Sequence, residues 1–122
     1  MDKILTYAKF KIHPGKLEEF KQLARQASQI VNSQEPGTRF YEWFLNPEQT
    51  ECVALDCYEN LEAMQAHIRN IGPIMRQLMA ISDRYVEIYG RDPRAEVLSK
   101  STTRTGDYYG PTFLSKIEAA VS

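Results

Sequence analysis

The apolar residues of this chain recur first at every second position and then at a helical step, and the same change of period happens twice. Residues 3 to 12 alternate, with Ile4, Thr6, Ala8, Phe10 and Ile12 on one side and Leu5, Tyr7, Lys9 and Lys11 on the other, as in a strand. His13, Pro14 and Gly15 break the pattern. From Lys16 onward Leu17, Phe20, Leu23, Ala24, Ala27, Ile30 and Val31 form one helical stripe, while Glu18, Glu19, Lys21, Gln22 and Arg25 lie outside it. His13 itself reads as a solvated turn residue, since no second metal-ligand candidate stands at a useful spacing.

The cycle then repeats. After Glu35, Pro36 and Gly37, residues 39 to 45 make an aromatic strand, Asn46 to Gln49 a turn, and Glu51 to Tyr58 a third strand paired with the second as an antiparallel hairpin. Asn60 supplies an N-cap oxygen, and Leu61, Met64, His67 and Ile68 recur along one face of a second helix. The sequence predicts an interruption at Gly72 and Pro73 and a restart with Ile74, Met75, Leu78, Met79 and Ile81, because proline suits a first helical turn and not a helix interior. A fourth strand runs from Arg84 to Tyr89.

Strand, helix, strand, strand, helix, strand is the split βαβ order of a ferredoxin-like α+β domain, one antiparallel sheet with both helices on one face. Residues 1–90 make that domain and residues 91–122 a C-terminal extension. In the extension Asp92 and Pro93 open a short helix carrying Ala95, Val97 and Leu98. Tyr108, Tyr109, Phe113, Leu114 and Ile117 are too apolar to leave in water, so this arm is expected to dock on the body or on a second copy.

A chain of 122 residues supports a single core, and its formal charge of −1, with acids and bases interspersed, offers no basic face for nucleic acid. No apolar run approaches the roughly 18 residues of a membrane span, so a cytoplasmic protein without membrane contact is expected. Cys52 and Cys57 fall on opposite faces of one strand, about 16 Å apart at 3.3 Å per residue, and cannot pair within it.

Both sheet faces carry large side chains. With the aliphatic face toward the helices, Thr6, Phe10, Phe40, Phe44, Met64 and Met75 are expected to line a cavity together with His67. The other face would then hold Tyr7, Tyr41, Trp43, Tyr58, Tyr85 and Tyr89 with Asp56, Glu87 and Arg39. Such a surface is large enough to mark an interface, and a homodimer with its sheets face to face would cover it. His67, on the buried stripe one turn beyond Met64, is the candidate catalytic residue; its structural alternative is a core histidine bonded to a carbonyl or to Asp56.

Over about residues 3 to 90 the chain resembles the antibiotic biosynthesis monooxygenase family of dimeric α+β barrels. The resemblance rests on His13-Pro14-Gly15 before an amphipathic helix, Glu35-Pro36-Gly37 before an aromatic strand with Tyr41, Asp56 and Tyr58 closing the third strand, and His67. It implies a cofactor-independent monooxygenase that takes a quinol or another electron-rich small aromatic and molecular oxygen, with His67 as base or hydrogen-bond donor. The haem-degrading branch fits poorly, since its first-strand asparagine would fall on Ala8 and its tryptophan on His67. The sequence also holds no glycine-rich phosphate loop, no clustered metal ligands and no paired carboxylates, in keeping with the absence of a cofactor. A non-catalytic binding module or an isomerase using the same pocket is the alternative.

Overall fold

A computed structural model describes residues 3–90 and 115–117. Strands β1 (Ile4–Ile12), β2 (Thr38–Leu45), β3 (Glu51–Tyr58) and β4 (Ser82–Gly90) alternate with helices α1 (Leu17–Gln34) and α2 (Leu61–Ala80), and a short β5 (Ser115–Ile117) follows. The antiparallel sheet has the order β4-β1-β3-β2-β5. This is the ferredoxin-like α+β arrangement, with β5 added at the edge beside β2. Ile117 pairs with Trp43 and is buried in the main core. The expectations for Asp92 to Leu98 and for Tyr108 to Leu114 lie outside the described residues.

Both helices pack on one face of the sheet. The stripe on α1 buries Phe20, Leu23, Ala24, Ala27 and Val31 against Phe10, Trp43 and Cys52. Phe10, Phe20 and Trp43 form its centre, Phe10 stacked on Trp43 at 5.5 Å between ring centroids and Phe20 edge-on to Phe10 at 5.3 Å. Large rings at these separations add about 0.5–1.5 kcal/mol per pair beyond their burial.

Strands β1 and β4 present Ile4, Thr6, Ala8 and Phe10, and Arg84, Val86 and Ile88, to the helices. On β2 and β3 the parity is the reverse of the expectation. Tyr41, Trp43 and Leu45 point inward with Cys52, Ala54, Asp56 and Tyr58, whereas Phe40 and Phe44 belong to the outer face and Phe40 is 43% exposed. Near the start of β2 the register slips: Thr38 lies opposite Tyr58 and Phe40 opposite Cys57, so Arg39 is an extra residue. The two alternating sets of β2 are equally aromatic, but Glu42 shares the parity of Phe40 and Phe44, and a carboxylate belongs on the wetter face.

Helix α2 also departs from the expectation, because it runs unbroken through Pro73. The proline costs about 3 kcal/mol, having no N–H to give the Arg69 carbonyl. Continuity keeps Leu61, Met64, His67, Ile71, Ile74 and Leu78 in phase, all of them buried. Fully burying a large apolar side chain is worth about 1.5–3 kcal/mol. The three beyond His67 therefore outweigh the defect.

The start of α2 is capped by Asn60, whose Oδ1 accepts from the Ala63 amide at 2.9 Å. Against this first turn lies the α1–β2 corner: the Glu59 amide donates to the Gly37 carbonyl at 3.0 Å, and a Cβ on Gly37 would stand 2.7 Å from the Ala63 Cβ. Only glycine permits so close an approach. Gly37→Ala is expected to lower stability by about 1–3 kcal/mol, the usual range for overpacking, read as a fall in the urea midpoint; an unchanged midpoint would mean that the corner moves aside freely.

Candidate functional site

Between α2 and the inner face of the sheet lies a cavity of about 240 Å³. The helix contributes Met64, His67, Ile71 and Met75; the sheet contributes Thr6, Ala8, Phe10, Tyr41, Trp43, Asp56, Tyr58 and Arg84. An apolar cavity of about 150 Å³ suffices for benzene, so this one accommodates a substituted ring. Its three cavity-lining methionines, Met64, Met75 and Met79, are side chains that adapt to ligand shape.

His67 is 4% exposed and held from one side. Its Nδ1 lies 2.8 Å from Glu35 Oε1. Glu35 sits at the C-cap of α1, where the helix dipole disfavours a carboxylate, and is itself buried. Three donors offset that: the His67 ring, the Thr38 hydroxyl at 2.8 Å and the Asn70 amide at 3.2 Å. Burial pushes the Glu35 carboxyl upward, yet the hydrogen bond and charge of His67, with help from Thr38 and Asn70, outweigh it and hold the pKa below its ordinary value. A carboxylate only accepts, so Nδ1 carries a proton, and Nε2 is the nitrogen on which the neutral and charged forms of the ring differ.

Nε2 faces a second carboxyl. Asp56 Oδ2 is 3.8 Å away, too far for a hydrogen bond, and accepts from the Tyr58 hydroxyl at 2.7 Å. Burial raises the Asp56 pKa, with His67 and Tyr58 acting against the rise. Tyr41 stands edge-on to the imidazole at 5.0 Å and Tyr58 tilts over it at 5.1 Å. The pairing of two carboxylates that the sequence does not reveal is thus built by the fold, one on each side of a histidine.

Thr6 Oγ1, Tyr41 OH, Trp43 Nε1, Asp56 Oδ1 and Arg84 Nε are buried and lack a well-formed hydrogen bond among the described residues. Each belongs to a residue of the cavity wall. An unsatisfied buried polar group costs about 1–3 kcal/mol, so their convergence marks a place where a polar guest would restore what the protein lacks. Among the described residues no three of His, Cys, Asp and Glu are disposed to hold a metal ion. His13 is exposed and pairs with Asp83 at 3.2 Å. Cys52 and Cys57 are both free thiols.

Of the cavity residues expected from sequence, Thr6, Phe10, Met64, Met75 and His67 meet there, and Phe40 and Phe44 do not, because β2 presents its other face. Tyr41, Trp43, Asp56, Tyr58 and Arg84 take part instead, and Glu35 is the residue that sequence reasoning missed most completely. One signal for it existed: an acid at the C-terminal end of a helix is unfavourable unless donors compensate.

The fold and the site define a ferredoxin-like α+β domain with a partly open, mostly apolar cavity and an oriented histidine. The profile of the antibiotic biosynthesis monooxygenase family matches residues 4–71, more than half of the chain, and the chain belongs to that family. Membership supports a monooxygenase-type function. Among solved structures the chain is similar to a conserved protein from Methanosarcina mazei Go1, at 23% identity over 75% of this chain and 95% of that one, with a TM-score of 0.67. SnoaB, a cofactor-independent oxygenase from Streptomyces nogalater, is similar at 16% identity over 75% and 94%, with a TM-score of 0.65. MupZ from Pseudomonas fluorescens is 17% identical over 94% of this chain and 100% of its own, with a TM-score of 0.70. At these identities the likeness carries the fold alone. Among curated proteins none matches the chain. No helix of the described residues is long and apolar enough to cross a membrane.

The lowered Glu35 pKa has a definite sign in stability. The contribution is fully present above the unfolded-state value of about 4.3 and is lost as pH falls through the lower folded-state value. Glu35→Gln is therefore expected to destabilise the protein at pH 7 by about 1.5–3 kcal/mol, the range for a hydrogen bond to a charged group, and to differ progressively less from the parent as the pH drops below 4.3. Urea midpoints across that range test it, and a gap that stays constant would contradict it.

Proposed function

We propose that the protein is a cofactor-independent monooxygenase of a quinol, or of a similar electron-rich phenolic ring, bound in the cavity with His67 as its base. The observation that carries this reading is the orientation of the imidazole: Nδ1 is held by Glu35, and Nε2 stands 3.8 Å from Asp56 Oδ2, with His67 and Asp56 both on the cavity wall. A base must be oriented before it can take a proton.

In this mechanism Nε2 removes the phenolic proton and the Glu35 carboxylate steadies the imidazolium. The phenolate gives one electron to oxygen, and the radical pair combines at a hydrogen-bearing ring carbon ortho or para to the oxygen, forming a hydroperoxide. Loss of the hydrogen from that carbon and cleavage of the O–O bond leave a carbonyl and release water, so one oxygen atom enters the product and the other leaves. Asp56, whose burial favours its protonated form, supplies a proton to the departing hydroxide.

The same acid and base support a second reading, an isomerase that moves a proton between two carbons, and the neutral-leaning Asp56 opposite Nε2 favours it. Oxygen decides between them. With a panel of quinols and anthrones, oxygen uptake is expected and should fall by about 10²–10⁴-fold in His67→Gln, the usual contribution of a general base, while the far-ultraviolet circular dichroism is unchanged. A variant with parental uptake on an accepted substrate would sink the mechanism.

We further propose that the working form is a homodimer joined through the outer sheet face. Tyr89, Leu5 and Phe40 are each exposed by 40% or more, and they stand in one row, since Leu5 lies between Tyr89 and Cys57, and Cys57 lies beside Phe40. Light scattering at micromolar concentration is expected to give the mass of two chains and Leu5→Arg a smaller average; a single-chain mass for the parent would remove the proposal.

A further inference from the structure

Arg84 is the least explained group of the cavity. It enters from β4 opposite Phe10, its guanidinium carbon lies 6.0 Å from the Phe10 ring centroid, and the residue is half-buried with its Nε fully buried. Nη1 approaches the Met79 sulfur at 3.8 Å, a weak acceptor, and Nε has no partner. No carboxylate of the described residues lies within ion-pair distance. Asp56, the acid whose charge acts on Arg84 in the cavity, accepts the Tyr58 hydroxyl at Oδ2 and does not reach Arg84 as an ion pair. Arg76, on the α2 side of the same cavity, likewise has no acidic partner among the described residues.

Burying a guanidinium without a counter-charge costs several kcal/mol, and proteins retain such a group where something else supplies the anion. The free edge of Arg84 indicates its shape. With Nη1 turned to Met79, Nε–H and Nη2 form the pair of parallel N–H groups that a carboxylate takes side-on. His67 and Asp56 line the same cavity, and Asp56 pairs with Thr6 of β1 whereas Arg84 pairs with Phe10, so a ring bound along β1 would carry its hydroxyl toward one and an acid toward the other.

We propose that the cavity is built for an aromatic acid, whose carboxylate is received by Arg84 while its phenolic end meets His67. This deepens the monooxygenase reading and rests on it for the fate of the ligand, although recognition of the anion stands apart from turnover. Arg84 sets which ring is accepted and in which direction it lies. A neutral quinol of equal size leaves the guanidinium unpaired and binds less tightly.

The test compares 2,5-dihydroxybenzoate with 2,5-dihydroxybenzamide, two quinols of nearly equal size that differ in charge, by isothermal titration at low salt. The acid is expected to bind the parent protein at least about tenfold more tightly than the amide, a charge-assisted bond of about 1.4 kcal/mol or more. That ratio should collapse toward one in Arg84→Gln and recover in part in Arg84→Lys, which restores the charge without the fork. Equal affinity of the parent for acid and amide, absence of binding of both, or a ratio unaltered in a folded Arg84→Gln each overturns the proposal. The first comparison needs no variant, so a misfolded substitution leaves it decisive. Oxygen uptake followed in the same samples separates the two readings: tight binding of the acid without uptake of oxygen by either ligand would remove the oxygenase and keep the anion site.

Discussion

The 2.8 Å bond between His67 and Glu35 joins two parts of the chain that share no sheet pairing, the end of α1 and the middle of α2. It forms because the α1–β2 corner comes down on α2 at Gly37, where no Cβ intervenes, and because Thr38 and Asn70 turn their donors to the same carboxylate. A buried acid at the negative end of a helix would otherwise be a liability. Here the corner, the carboxylate and the imidazole fix one another, and the helical wall of the cavity takes its position from them.

The two carboxyls around His67 are not equivalent. Glu35 receives three donors and is driven toward its ionised form; Asp56 receives one and is driven by burial toward its protonated form. Environments that push neighbouring groups apart in this way make two carboxyls of the same chemistry differ in acidity. The imidazole lies between them, with Nδ1 bonded to Glu35 and Nε2 3.8 Å from Asp56. Tyr41 and Tyr58 pack against the imidazole on the remaining sides.

The order and the period of the elements were readable from the chain because each strand and helix writes its own pattern of burial. What was not readable was which face of β2 and β3 turns inward. On β2 both alternating sets are aromatic, and Glu42 alone betrays the outer one. On β3 the charge of Asp56 argued for the solvent side, and it was misleading because the Tyr58 hydroxyl and the nearby His67 ring receive the carboxyl inside. His67 could be found, since a histidine on a buried stripe stands out against its neighbours. Glu35 could not be joined to it, as the two are separated in sequence and meet only through a corner whose close approach depends on backbone geometry. Pro73 was misjudged for a related reason: its local cost was weighed without the burial of Ile71, Ile74 and Leu78 that offsets it.

The same proline also thins the backbone bonding of the cavity's helical wall. The turn of α2 before Pro73 lacks one rung of its hydrogen-bond ladder, and Gly72 beside it adds backbone freedom. Ile68, Ile71, Gly72 and Met75 of this stretch line the cavity. Segments held by fewer backbone bonds separate from their surroundings at lower free energy than the global unfolding reaction. The helix is therefore held by fewer backbone bonds where it walls the cavity, while the Glu35–His67 bond lies on the N-terminal side of that point, where the ladder is complete.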